Sequence, residues 1–329
     1  MPMTPISRSA TLGEVGEFTL IEAIIHDLPA AAAVLVGPGD DGAVLAMDGP
    51  VVTSMDVLVE GVHFRRDWSE ARDVGRKAVA VNVADIEAMG GRASGVVVGF
   101  SAPPDLAAAW ALDFAAGVRD ECAAAGVALL GGDITRARDI TVSVTVLGGL
   151  DGREPVRRNG ARAGDVVAMI GRTGWAAAGM VVLGRGFRSP RAVVEAQRVP
   201  QVPYGAGVVA NAAGATSMID ISDGMLADLG HVADASGMVI ELDRAAFEIP
   251  DPLQAVASAT GSDPYNLILT GGEDHALVAT FPDLDLVPDR WVVIGAVREA
   301  LDDEPRVLVD GRVWESEPGW DHFRGARRG

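Results

Sequence analysis

The sequence predicts a mixed α/β (α+β) protein of two domains, and three observations lead there. Short runs rich in Val and Ile alternate with Ala-rich stretches of helical length along the whole chain, which is the pattern of interleaved strands and helices. The 329 residues exceed what a single core sustains, since cores stop growing near about 250–300 residues. Apolar residues make up 49% of the chain and charged residues 22%, enough for a sizeable core and too hydrophobic for a disordered chain. Aromatics are only 5%, so the core is built mainly from Ala, Val, Leu and Ile.

The first half reads as helix 18–28, strands 42–47 and 51–56, helix 78–89, strand 95–100, helix 106–125, and strands 127–130 and 140–147. Gly90-Gly91 stops the second helix and Pro103-Pro104 punctuates the entry to the third. A polar, Arg- and Gly-rich stretch over 151–164 interrupts the alternation, which places a domain boundary there and gives domains 1–150 and 151–329. The second half reads as strand 165–170, helix 175–184, a Pro/Arg segment 185–203, helix 204–213, strand 217–221 and helix 225–235. Strands follow at 238–242, 267–269, 275–281 and 291–297, and Asp310-Gly311 between 306–309 and 312–314 is a hairpin signal.

Charge and composition exclude several function classes. With 46 Asp+Glu against 27 Lys+Arg the net charge is −19, contrary to the basic surface a nucleic-acid partner requires. Lys77 is the sole lysine and no G-x-x-x-x-G-K-[ST] loop exists, so any phosphate chemistry is not of the P-loop kind. Lys77 itself reads as a solvated charge near a helix start. Cys122 is the single cysteine, which removes disulfides, zinc ribbons and redox pairs; mid-helix among alanines, it reads as a small buried residue. The opening residues lack the apolar region of a signal peptide, and no apolar run approaches the ~18 residues of a membrane span. The expectation is a cytoplasmic protein without a membrane partner.

Much of the acidic excess sits in short Gly/Asp motifs at predicted strand ends and helix starts. They are Gly39-Asp40-Asp41-Gly42, Ser54-Met55-Asp56, Asn82-Val83-Ala84-Asp85, Gly131-Gly132-Asp133, Asp220-Ile221-Ser222-Asp223-Gly224 and Gly271-Gly272-Glu273-Asp274. Any one alone is ordinary turn and N-cap chemistry, and Ser222 or Asp223 could equally cap helix 225–235. Together they are harder to read so, because gathered carboxylates repel unless a cation lies between them. Asn82 and Asp85, three apart on one helix, share a face suited to a ligand pair. Oxygen donors without a His/Cys cluster favour hard cations, Mg²⁺ above all, which completes its octahedron with water and substrate phosphates. Glycine, at 40 residues or about 12% of the chain against an ordinary ~7%, fits backbone N–H groups approaching phosphate. The reaction type that follows is metal-assisted phosphoryl transfer, in a cleft between domains.

The motifs also carry a resemblance that runs nearly end to end: Gly16-Glu17-Phe18, GDDGAVL, MDVLVEGVHF, KAVAVNVADIEAMGG, GGDITR, RRNGARAGD, IDISDGMLADLGH, GGEDHALV and Gly319-Trp320-Asp321-His322-Phe323. The chain resembles the thiamine-monophosphate kinase family, within the aminoimidazole ribonucleotide synthetase-like superfamily. That resemblance implies Mg²⁺-dependent, direct in-line transfer of the ATP γ-phosphate to thiamine monophosphate, with several Mg²⁺ per site and no catalytic nucleophile or base. It implies Mg²⁺ ligands at Asp41, Ser54, Met55 (main chain), Asp56, Asp85, Asp133, Asp220 and Asp223. It implies ATP contacts at Gly132, Asp133, Arg158 and Ser222, and substrate contacts at His63, Glu273 and Trp320. The implied fold is an N-terminal mixed sheet forming a barrel-like homodimer interface, with a C-terminal α/β domain completing the active site.

Each assignment is chemically compatible with its residue. Arg158 offers a planar fork to phosphate, and Trp320 a flat face to a cationic thiazolium. On the residues alone, Trp320 could instead anchor a small core and His63 could be a surface histidine. Two departures stand out: Met55 where the family usually has threonine, and His275 where tyrosine usually follows GGED. Two competing readings stay open at this level, a superfamily enzyme with a different acceptor and a non-catalytic acidic metal-binding scaffold.

Overall fold

The computed structural model describes residues 6–26, 28–300, 304, 306–316 and 319. The chain divides into two compact units: Met1–Ile86 with Ala93–Gly152, and Glu87–Arg92 with Arg153–Gly329.

The first unit opens with helices α1 (Leu12–Val15) and α2 (Glu17–Ile25). Thr11 and Glu14 cap α1 reciprocally, each side chain bonding the other's backbone N–H. Strands β1 (Val34–Val36) and β2 (Val44–Leu45) make a small antiparallel pair. Then come β3 (Val51–Val59), α3 (Ala71–Ala88), β4 (Arg92–Ala102), α4 (Ala108–Ala125), β5 (Ala128–Arg136) and β6 (Thr141–Gly149). The four strands order as β3-β6-β4-β5. β4 and β5 are parallel because α4 carries the chain back between them.

Alternation sets the two faces of that sheet. Val142, Val144 and Val146 of β6 are buried, and Val144 and Val146 lie opposite Asp56 and Ser54 of β3. The other face of β3 is open, with Val51 50% and Met55 56% exposed. Helices α3 and α4 cross in close contact, since a Cβ on Gly75 would lie 2.1 Å from the Phe114 carbonyl oxygen and one on Gly117 2.0 Å from that of Arg72. Phe100, Trp110 and Phe114 stack with centroids 5.1–6.1 Å apart, adding the aromatic part of this core.

The second unit contains β7 (Val166–Ile170), α5 (Trp175–Gly184), α6 (Arg191–Arg198), α7 (Ala206–Ala212), β8 (Ser217–Asp220), α8 (Met225–Ser236) and β9 (Met238–Leu242). They are followed by α9 (Asp251–Thr260), α10 (Pro264–Thr270), β10 (Leu277–Phe281), β11 (Val292–Glu299) and β12 (Arg306–Val309). Its six strands order as β12-β9-β11-β7-β10-β8, antiparallel except for the β12–β9 pair. Ile170, Met218, Leu277, Phe281 and Trp291 share one core cluster, where Phe281 meets Trp291 edge to face at 5.7 Å. Glu87, 4% exposed, accepts the N–H groups of Gly205 and Gly207 at 2.7 and 2.8 Å and so caps the start of α7. Burial pushes the Glu87 carboxyl above its ordinary pKa, and those two N–H groups hold it back.

Three expectations are corrected. The apolar triplet 267–269 is not a strand but part of α10, because Asp263 caps Tyr265 N–H and Pro264 stands at the first helical position. Asp310-Gly311 does form a tight turn, with φ of 51° and 76° and Val309 and Arg312 exchanging hydrogen bonds, but residues 312–314 do not form the second strand. Instead Trp314 Nε1 donates to Asn266 Oδ1 at 2.9 Å. Lys77 is not solvated but 2% exposed. Cys122 is buried as expected, and burial pushes its thiol up to about 12.

Candidate active site

In the first unit, the period of two along β3 sends Ser54 and Asp56 to the face that α3 covers and Met55 to the open one. Ser54 Oγ donates to Asp85 Oδ2 at 2.6 Å, and Asp56 N–H donates to Asn82 Oδ1 at 2.8 Å. The three-residue spacing of Asn82 and Asp85 does bring both side chains to β3, but with different roles. Asn82 is 1% exposed, and its amide also donates to the Ala78 carbonyl, so it fastens the strand. Asp85, half-buried, is the carboxylate that faces Ser54. Met55 offers this side of the strand only its main chain.

His63 sits in a tight turn closing β3, where Gly61 N–H bonds the Phe64 carbonyl at 2.7 Å and His63 N–H bonds the Val59 carbonyl at 3.0 Å. His63 Nδ1 accepts from Val59 N–H at 3.0 Å, which leaves the ring hydrogen on Nε2. Lys77 Nζ donates to the His63 carbonyl at 3.1 Å, so the sole lysine stabilises this turn from within. Asp41 lies in an exposed turn between β1 and β2, its N–H bonded to Asp40 Oδ1. Gly132 and Asp133 lie on β5, beside Val98 and Gly99 of β4. A Cβ on Gly132 would sit 2.0 Å from the Val98 carbonyl oxygen, so the close approach of the strands demands glycine there.

In the second unit the acidic motif follows edge strand β8. Arg158 is exposed while its carbonyl accepts from Ser217 Oγ and Ser236 Oγ at 3.1 and 2.9 Å, which anchors its backbone. The N-cap of α8 is Gly224 rather than Ser222 or Asp223. The capping work passes to Asp228, whose Oδ2 accepts from the N–H groups of Ser222, Asp223 and Gly224, each at 3.0 Å. Asp228 thereby sets the path of the loop that carries Ser222 and Asp223. Burial, then the charge of Asp220, pushes its carboxyl up to about 7 against the pull of Gly224 N–H. In the sequence Asp228 reads as a first-turn helix acid, and only that position signals the role.

The GGED segment runs antiparallel to the same loop. Glu273 N–H bonds the Ser222 carbonyl at 2.7 Å and His275 N–H that of Ile221 at 2.9 Å. Glu273 and His275 both hold left-handed backbone, with φ of 67° and 53°, a strain of about 1–3 kcal/mol each of the kind functional loops store. Asp274 between them is 2% exposed and caps α5 by accepting Ala176 N–H at 2.9 Å. Among the described residues its Oδ2 has no hydrogen-bond partner, and burial pushes the carboxyl up to about 7. Trp320 lies outside the described residues. Its neighbour Gly319 packs on this loop, where a Cβ would meet the Asp223 carbonyl oxygen at 2.5 Å.

The donor chemistry fits Mg²⁺. Ser54, Asp56 and Asp85 in one unit and Asp220 and Asp223 in the other are oxygen donors, as a hard cation requires. Among the described residues no three His, Cys, Asp or Glu side chains make a closed metal cage.

Comparisons with known proteins find relatives along nearly the whole chain. A family model described as AIR synthase related protein, N-terminal domain, matches residues 39–150. The thiamine-monophosphate kinase of Mycobacterium tuberculosis (strain ATCC 25618 / H37Rv) is 48% identical over 319 residues, 96% of this chain and 94% of that protein. That of Corynebacterium glutamicum is 36% identical over 324 residues, 95% of each. A solved structure described as AaThiL complexed with AMPPCP and TMP superposes with a TM-score of 0.76 at 30% identity, over 96% of this chain and 100% of that one.

Proposed function

The chain belongs to the thiamine-monophosphate kinase family, and from that premise we infer that it transfers the γ-phosphate of ATP to thiamine monophosphate, giving thiamine diphosphate and ADP. The transfer is in-line and Mg²⁺-dependent. Asp41, Ser54, the Met55 main chain, Asp56, Asp85, Asp133, Asp220 and Asp223 hold the metal ions. When bound, Mg²⁺ neutralises charge between two anionic reactants.

The protein's own residues bind and orient. Gly132, Asp133, Ser222 and the Arg158 fork contact ATP, the fork matching phosphate geometry. His63 Nε2–H, Glu273 and Trp320 line the thiamine phosphate pocket, where the Trp320 indole faces the cationic thiazolium. No side chain needs to act as base, because the acceptor phosphate is already ionised near neutral pH. Positioning and charge neutralisation supply the rate.

One observation supports the metal part of this reading above the rest: Ser54, Asp56 and Asp85 gather on one side of β3 with oxygen donors alone. The open face of β3, with Val51 and Met55 half exposed, supports a homodimer joined through this sheet. No helix among the described residues is long and apolar enough to cross a membrane. Purified protein incubated with ATP, Mg²⁺ and thiamine monophosphate is expected to yield thiamine diphosphate, and absence of that product refutes the reading. Asp56→Asn and Asp220→Asn are each expected to remove most turnover while the far-UV spectrum is retained.

A further inference from the structure

At the end of β8, the side chain of Asp220 meets that of His275: Nδ1 lies 2.9 Å from Oδ2, and the two residues are 6% and 4% exposed for His275 and Asp220. The pair is not an accident of two mobile side chains. Ile221 N–H bonds the Ala276 carbonyl at 2.8 Å, and the His275 and Glu273 N–H groups bond back to Ile221 and Ser222. These bonds fix the backbone on both sides of the contact. The sequence marks His275 only as an unusual neighbour of Glu273 and gives no hint of this partner.

We propose that His275 is a positioning residue for Asp220, holding its carboxylate so that one oxygen is kept for a divalent cation. The proposal rests on the reading of Asp220 as a metal ligand. An ionised carboxylate has no hydrogen to give, so the hydrogen of this contact belongs to Nδ1 of the imidazole. The bond occupies Oδ2 and leaves Oδ1 for the cation. It also stops the carboxylate from rotating toward a chelating pose. Outer partners of this kind orient carboxylate and histidine ligands throughout metal sites, and losing one typically weakens metal affinity 10–100-fold. His275 itself acts through Asp220 and touches neither substrate in this scheme.

The test uses the full-length protein with a non-hydrolysable ATP analogue and follows Mn²⁺ binding by calorimetry. His275→Gln sets its amide one bond beyond the place of Nδ1, where Nε2 stood, and loses the bond to Oδ2; it is expected to weaken Mn²⁺ binding at least ~10-fold with the far-UV spectrum retained. His275→Asn accepts the left-handed backbone at this position and puts its amide nitrogen where Nδ1 stood, so it is expected to stay within about 3-fold of the parent. Parent-like affinity in His275→Gln, while Asp220→Asn loses it, overturns the positioning role alone. Parent-like affinity in both variants overturns the metal-ligand reading of Asp220, and the proposal with it. A check on the parent needs no variant to fold: imidazole ¹⁵N spectra are expected to show His275 protonated at Nδ1, and a bare Nδ1 refutes the assignment.

Discussion

Ser54 Oγ and Asp85 Oδ2 lie 2.6 Å apart, tying β3 to α3 through two residues 31 positions apart in sequence. The hydroxyl orients a half-buried carboxylate toward the strand that carries Asp56. Ser54→Ala removes a hydrogen bond worth about 1–3 kcal/mol, because the acceptor is charged. It takes away one of the contacts that orient Asp85. Half-saturating Mg²⁺ for turnover is expected to rise about 10-fold or more, and an unchanged Mg²⁺ dependence would sink the ligand role of both residues.

Lys77 is nearly sealed from solvent and donates to the His63 carbonyl. Lys77→Met keeps the length of the stem and loses the donor, leaving that carbonyl short of a partner at a cost of about 1–3 kcal/mol. The turn presenting His63 loosens. The expected signature is a several-fold higher KM for thiamine monophosphate with KM for ATP little changed, read from steady-state kinetics. An equal rise in both would show a general loss of packing instead.

Asp274 gives a pH prediction with a definite sign. Its folded-state carboxyl titrates at about 7 rather than in the ordinary aspartate range, chiefly through burial, so the folded chain binds this proton more tightly than the unfolded one. The favourable contribution is complete below the unfolded value and is lost as pH rises through about 7. Asp274→Asn keeps an oxygen for Ala176 N–H and carries no charge. Its melting temperature is expected to fall less than the parent's between pH 5 and pH 8. The slope that remains belongs in part to Asp228, which titrates at about 7 as well.

Two glycines predict opposite outcomes for the same substitution. Gly132→Ala drives a methyl against the Val98 carbonyl and is expected to cost about 1–3 kcal/mol or more, together with ATP affinity. Gly230 lies inside α8 with nothing within 4 Å of an added Cβ, so Gly230→Ala is expected to stabilise by about 0.5–1 kcal/mol. Denaturant midpoints of the two variants check both signs.

The β/α alternation was readable because buried strands and Ala-rich helices differ in local pattern. Errors arose where the pattern is short. Leu267-Ile268-Leu269 looks like strand until Asp263-Pro264 is read as a helix start, while α6 lies inside the Pro/Arg segment 185–203 and α9 in a stretch to which the pattern assigns no element. The acidic candidate residues were legible as motifs, since carboxylates crowded with glycine are conspicuous anywhere in a chain. Their supports were not. Lys77 inside the fold, Asp228 gathering three N–H groups, and His275 reaching Asp220 depend on chain segments brought together only by folding, and no local spacing announces them.

The division between the two units falls inside α3, since Glu87–Arg92 associate with the second unit. A fragment ended at Gly152 would carry Glu87 away from Gly205 and Gly207, leaving the start of α7 without its cap and the carboxylate without those two donors. A cut at the polar 151–164 stretch therefore separates Glu87–Arg92 from the unit they associate with. Swapping either half between relatives would have to carry this six-residue segment with its adopted unit, as an exchange of two cut points rather than one.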